Sequence, residues 1–208
     1  MIYFVMRFNQ STEIWSGGVI LVPYKEHHVL KYHEWMKSPF LQEMTASEPL
    51  SLEEEYQMQK SWLEDYDKCT FIILGKEAFT ATSSETESMI GDVNLFLNNP
   101  DDPHEAEIEV MIAEPSYRQK GLGRQALYTM MRYGAEALRI KTFTAKIKLK
   151  NEVSTALFEK LGFILESRSE IFQEGTYRVG VDERLMCRLH AQTQDYVIKQ
   201  RPASCDGR

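Results

Sequence analysis

The chain is poor in cysteine: three in 208 residues, Cys69, Cys187 and Cys205, odd in number and far apart. That excludes a closed disulfide framework and offers no metal-like spacing, so reduced thiols in an intracellular protein are expected. Basic residues are also short, 24 Lys and Arg against 31 Asp and Glu. A net charge of −7 argues against a protein that grips nucleic acid by neutralising phosphates, and is compatible with a cationic acceptor such as an amine. No apolar run approaches the roughly 20 residues of a membrane span. The opening Ile2-Tyr-Phe-Val-Met6 is too short even for a signal-peptide core, and no heptad run or internal repeat is visible. His27, His28 and His33 have no Cys, Asp or second His cluster to join them, so no metal is expected. Neither membrane nor nucleic acid is an expected partner; the expected location is cytoplasmic, with the nucleus also open.

What is present centres on Arg118-Gln119-Lys120-Gly121-Leu122-Gly123-Arg124. A strand-like run, Ile108 to Ala113, leads in, and an amphipathic helix carrying Ala126, Leu127 and Met130 on one face leads out. Such a strand–turn–helix unit aims backbone N–H groups and the positive end of a helix dipole at one small volume. Two glycines let a bulky anion approach the main chain, and three basic side chains surround it. The pattern predicts a pyrophosphate cradle. The P-loop spacing Gly-x-x-x-x-Gly-Lys-[Ser/Thr] is absent. Gly121-x-Gly123-x-x-Ala126 fits a dinucleotide fingerprint, but the next strand carries only lysines where an acidic residue should end it.

Arg118-x-x-Gly121-x-Gly123 also fits Arg/Gln-x-x-Gly-x-Gly/Ala, and a second stretch follows, Asn151-Glu-Val-Ser154-Thr-Ala-Leu157-Phe158-Glu-Lys160-Leu161-Gly162-Phe163. Together these resemble the two signatures of the GNAT N-acetyltransferases, in the right order. Over most of the chain, including Gly91-Asp-Val-Asn-Leu-Phe96 and Glu107 to Pro115, the wording is similar to the eukaryotic N-acetyltransferase 9 group. The resemblance implies acetyl-CoA as cosubstrate. Its binding residues would be Arg118, Gln119, Lys120, Gly121, Leu122, Gly123 and Arg124 in the cradle, Asn151, Ser154 and Phe158 in the second motif, and the main chain of Met111 to Ala113 along the pantetheine. It further implies transfer to a protein or peptide amine, an N-terminal α-amine or a Lys ε-amine, with tubulin or a microtubule-associated protein as acceptor. The alternative is a GNAT-shaped module of weak activity that works through a cytoskeletal partner.

Hydrophobic patterning gives the order β-α-α-β-β-β-α-β-α-β-β: an α/β domain over residues 17–189 with a mixed, mostly antiparallel sheet and helices on both faces. Residues 1–16 read as an extension and 190–208 as a tail. Glu26 to Lys37 is an expected helix with Val29, Leu30, His33 and Met36 inward. Pro39 breaks the pattern, and Ser51-Leu-Glu-Glu54 is a capping box opening a second helix. Thr80 to Ser88 reads as a polar loop. Val153, Leu157 and Leu161 form an expected core stripe, leaving Ser154 and Phe158 to a ligand. Phe163 to Phe172 and Tyr177 to Leu189 read as a closing strand pair around Glu174-Gly175. The resemblance implies a sheet splayed where coenzyme A enters.

Acetyl transfer to an amine needs a group to accept the ammonium proton. Glu107 and Glu109, one residue apart on one strand face, are the candidates, with solvated strand carboxylates as the other reading. Many family members place a proton-donating Tyr where this chain has Phe158, which cannot donate; Tyr117 or water is left for that role. Bacterial ribosomal-protein acetyltransferases carry a catalytic Glu where this chain has Lys146, so that base does not carry over. On the acceptor side, Glu34, Trp35 and Glu48 combine carboxylates with an aromatic wall, suited to a cationic amine. Trp35 as packing and the glutamates as solvated surface remain the alternative.

Overall fold

A computed structural model describes residues 6–201. After a 3₁₀ turn (Met6–Ser11) come β1 (Thr12–Ser16) and β2 (Val19–Pro23). β2 is apolar throughout and buried at every position, as expected of a strand covered on both faces. A 3₁₀ turn (Glu26–His28) leads into α1 (Val29–Met36), followed by α2 (Pro39–Thr45) and α3 (Leu52–Glu64). Pro39 therefore opens a helix instead of only ending one: Ser38 Oγ caps it and proline fills the first turn, where no N–H is required. The Ser51/Glu54 capping box opens α3, with both reciprocal bonds formed.

Next come β3 (Lys68–Gly75), α4 (Lys76–Thr82), α5 (Glu85–Ser88), β4 (Met89–Phe96) and β5 (Glu105–Ile112). The polar stretch Thr80 to Ser88 is thus largely helical, not a loop. Thr80 and Thr82 return their hydroxyls to carbonyls one turn back, and Ser84 caps α5. A 3₁₀ turn (Pro115–Tyr117) and the cradle loop precede α6 (Leu122–Glu136), β6 (Thr142–Lys148), α7 (Glu152–Leu161), β7 (Ile164–Ser169), β8 (Glu174–Gly180), α8 (Glu183–Gln192) and β9 (Val197–Gln200). The closing pair turns before Glu174, and the segment expected as its second strand is split between β8 and α8. Asp182 Oδ1 accepts from the Leu185 N–H and starts a helix there, a local side-chain bond that strand-like composition concealed.

Among the described residues nine strands make one sheet, ordered β7-β8-β6-β5-β4-β3-β2-β1-β9. β1 pairs with both β2 and β9, so the sheet reaches into the segments read as N-terminal extension and tail. Among the described strands, only β5 and β6 run parallel, and they pair only from Glu105↔Thr142 to Glu107↔Thr144. Beyond Glu107 and Thr144 the two strands part, and a wedge opens. One core lies between the sheet and α6, α7 and α8; the other lies under α1 to α3. Strand alternation sorts the side chains: Ala106 and Ile108 join the first core, while Glu107, Glu109 and Met111 face the second side.

Two predicted helix faces are rotated. On α1, Leu30 is 57% exposed, while Tyr32 and Trp35 pack inward with Val29 and Met36. On α7, Val153 is 76% exposed, and Phe158 joins Leu161 in the core, edge-on to Phe163. In both cases an aromatic residue takes the inward position, because it buries the larger apolar area.

Candidate active site

The cradle is formed by main chain. Gly121 sits at φ +80°, the left-handed region, as the residue before α6. Gln119 is also left-handed. The first helical bond runs from the Gln125 N–H to the Gly121 carbonyl, so the N–H groups of Leu122, Gly123 and Arg124 precede the ladder. Gly121, Lys120 and Arg124 are exposed around this helix start. A Cβ on Gly123 would press on Ile112 Cγ1 at 3.3 Å, so the second glycine lets the helix start sit against β5. Leu122 turns inward and packs against the first core.

The Arg118 guanidinium is engaged within the chain itself. Its Nε donates to the Ile112 carbonyl at 2.9 Å and its Nη2 to the Ala113 carbonyl at 2.8 Å. The guanidinium fastens the cradle loop to the end of β5, leaving Lys120 and Arg124 as the charges nearest the helix start. Lys120 lies over the Tyr117 ring, and that ring covers Gly75 and the edge of the first core. Asn151 Oδ1 accepts from the Ser154 N–H at 3.1 Å and so caps α7. Phe158 is in the core, and its ring offers neither a proton nor a polar contact.

The Met111 carbonyl faces β4: a Cβ on Gly91 would lie 1.8 Å from it. The Ala113 N–H donates to Ile90 at 2.9 Å, in the same direction. Gly91 thus allows β4 and β5 to close on each other where the wedge opens on the other edge of β5.

The two candidate bases are not equivalent. Glu107, almost fully buried, accepts from Lys146 Nζ at 2.8 Å and Asn98 Nδ2 at 3.1 Å. This bridge ties β5 to β6 at the foot of the wedge. The same contact raises the Lys146 pKa. Lys148 pairs with Glu174, and Lys150 with Glu43, so the lysine face is largely neutralised. Glu109 lies one step beyond the bridge. It is exposed to solvent, yet protein surrounds it closely enough that lost hydration is the main influence on it. With the nearby charges of Glu107 and Asp92, this pushes its carboxyl up to about 7. A wall position in a concave cleft accounts for both facts.

Behind Glu109 lies a polar group that was not singled out from the sequence. Thr70 Oγ1 donates to Asn94 Oδ1 and Asn94 Nδ2 to Asp92 Oδ2, both at 2.6 Å. Asp92 is 3% exposed, and burial pushes its carboxyl up to about 6. Lys68 lies over the Trp62 ring nearby, lowered by burial to about 8. The signal was an Asp and an Asn two apart inside the otherwise apolar run Met89–Phe96.

On the acceptor side, Trp35 is buried and its indole donates to Glu114 at 2.8 Å, tying α1 to the residue before Pro115. Glu34 is exposed and paired with Lys37; Glu48 is exposed on the loop before α3. Elsewhere, Glu85 draws His27 and His28 together, their ligand atoms within 4.8 Å of one another. His28 Nδ1 accepts from the Lys25 N–H at 3.1 Å, so Nε2 carries the proton and donates to Glu85 at 3.0 Å. Arg201 takes the other Glu85 oxygen. The group is a hydrogen-bonded clamp in which the His28 nitrogen facing Glu85 has no lone pair to offer an ion.

A family model described as an acetyltransferase (GNAT) domain matches residues 19–164. The chain belongs to the GNAT acetyltransferase family. It is 56% identical over 174 residues to an N-acetyltransferase 9-like protein of Nematostella vectensis, covering 83% of this chain and 88% of that one. It is 53% identical over 181 residues to the human alpha/beta-tubulin-N-acetyltransferase 9, covering 86% and 87%. Among solved structures, a spermidine N-acetyltransferase from Vibrio cholerae in complex with CoA and spermine superposes with a TM-score of 0.66. It is 18% identical and covers 77% of this chain and 93% of its own, a likeness of fold. This GNAT protein is therefore an acyltransferase.

Proposed function

We propose that this enzyme transfers the acetyl group of acetyl-CoA to a protein amine, that the protein is tubulin, and that it works in the cytoplasm. The observation that carries the reading is the wedge beyond Glu107, with an ionisable carboxylate at its wall and free N–H groups at its mouth. The residues fit the donor: Gly121 lacks the Cβ that would shield the N–H groups of 122–124, and Lys120 and Arg124 supply positive charge. Acetyl-CoA supplies the thioester; the chain's own residues orient it and manage protons. Glu109 accepts a proton from the acceptor ammonium, the freed lone pair forms the N–C bond, and the C–S bond breaks. The nitrogen then loses a second proton and the thiolate takes one up, with water as donor because Phe158 has none to give. One proton is released overall.

The tubulin assignment draws on relatives named for that substrate, at 53% identity in the human case. An acidic acceptor side, with Glu34 and Glu48 exposed, suits a cationic amine. The test is incubation of the enzyme and labelled acetyl-CoA with tubulin heterodimers, N-terminal peptides and lysine peptides, followed by mass mapping. Label on tubulin is expected. Turnover on peptides with none on tubulin would sink the assignment.

A further inference from the structure

Among the described residues, four buried side-chain atoms on the second side lack a hydrogen-bond partner: Asp92 Oδ1, the Tyr24 hydroxyl, His33 Nδ1 and Glu55 Oε2. His33 and Glu55 still face each other as a loose ion pair at 3.8 Å, whereas Asp92 and Tyr24, 3% and 2% exposed, have no such contact at those atoms. Unsatisfied buried oxygens cost about 1–3 kcal/mol each and call for a reason. The Asp92 carboxylate is not loosely placed, since Asn94 grips its other oxygen. In the β4/β5 register Asp92 lies opposite Met111 and Asn94 opposite Glu109, which makes Asp92 and Glu109 diagonal neighbours on one face. Tyr24 and Tyr32 pack together, tilted by 38° with ring centroids 5.1 Å apart, and the Asp92 charge acts on both phenols. The free oxygen thus stands one strand behind the wedge-wall carboxylate.

Resting on the acetyltransferase reading above, we propose that Asp92 is the acceptor-recognising residue. Its free oxygen, with the Tyr24 hydroxyl, holds the acceptor as a primary ammonium against Glu109, which then takes the proton. An ammonium has three donors and a compact charge; a carboxylate oxygen, a hydroxyl and a second carboxylate match it. The charged groups that bear on Asp92 come from every element around it. Burial raises its pKa, and the Asn94 amide and Lys68 of β3 lower it. Its own charge raises Glu109 of β5, Tyr32 of α1 and Tyr24, with Glu55 of α3 acting on the same two phenols. An arriving cation offsets the burial that raises both the Asp92 and the Glu109 carboxyls.

The experiment compares wild type with Asp92→Asn, using tubulin heterodimers and, as a minimal acceptor, n-butylamine, from about pH 6 to about pH 9. Calorimetry reports acetyl-CoA affinity separately. The expected result is an acceptor KM raised at least tenfold (about 1.4 kcal/mol) with acetyl-CoA affinity unchanged. On an α-amine, which titrates at about 8, the deficit shrinks as pH rises, and on butylamine, which stays protonated over this range, it persists. Equal KM values for both proteins with either acceptor across that range would overturn the role. Turnover of butylamine without turnover of tubulin would overturn the tubulin assignment and leave Asp92 to be judged on butylamine. Failure of wild type on both acceptors would overturn both. If Asp92→Asn does not fold, Tyr24→Phe deletes only the facing hydroxyl: a KM raised about threefold supports the subsite, and an unchanged KM overturns it.

Discussion

The cradle and the acceptor face lie at the two ends of β5 chemistry and are built in opposite ways. Seven consecutive residues, 118–124, make the cradle, and in the function proposed above their main chain would meet the donor. It is exposed, and its special feature is a left-handed glycine. The acceptor face gathers Tyr24, Tyr32, Asp92 and Glu109 from four separate segments, uses their side chains, and buries most of them. A donor common to all reactions of the family can be met by peptide groups, which any sequence possesses. Selecting one acceptor requires side chains of defined charge, held where water cannot substitute for the substrate.

The contrast can be broken most severely at Gly91, where both halves meet. In Gly91→Ala the new Cβ would fall 1.8 Å from the Met111 carbonyl, so β4 and β5 must separate. We expect a loss of roughly 3 kcal/mol of folding stability in urea titrations. Unchanged stability would mean the strands have slack that the structure does not show. Next is Glu109→Gln. The turnover number should fall roughly 10²-fold at neutral pH with acetyl-CoA affinity preserved. Because lost hydration in the cleft, with the charges of Glu107 and Asp92, holds this carboxyl up to about 7, the wild-type rate should climb as pH rises through that value and the carboxylate forms. The variant should lack that limb, and an identical pH profile would move the base elsewhere.

Gly121→Val tests the cradle alone. Its added Cβ has room, with Arg124 Nη2 3.7 Å away, so the damage is a strained left-handed valine of about 1–2 kcal/mol and a shielded anion site. Acetyl-CoA affinity should drop at least tenfold, about 1.4 kcal/mol, with the far-UV spectrum intact; calorimetry decides. The smallest effects belong to Glu34→Ala and Glu48→Ala. Both residues are exposed, so melting temperatures should stay put within about 0.5 kcal/mol of stability. A rise in acceptor KM would place them at the entrance, and wild-type kinetics would make them plain surface.

Sequence spacing alone determined the strand–turn–helix of the cradle, the capping box at Ser51 and the strand that feeds the loop. Each is a local arrangement in which residue type dictates backbone geometry over a few positions. Tertiary structure decided the rest. Glu107 and Glu109 are identical in type and share a strand face, but only the register against β6 put Lys146 on the first and left the second at the wedge. The charge of Arg118 is visible in the sequence, and the two carbonyls it fastens are not. Asp92 gained its importance from burial beside residues 17 and 68 positions away, Glu109 and Tyr24, and β1 found β9 across nearly the whole chain. Short-range periodicity carries no record of which strands will be neighbours, and side-chain electrostatics depends on nothing else so strongly.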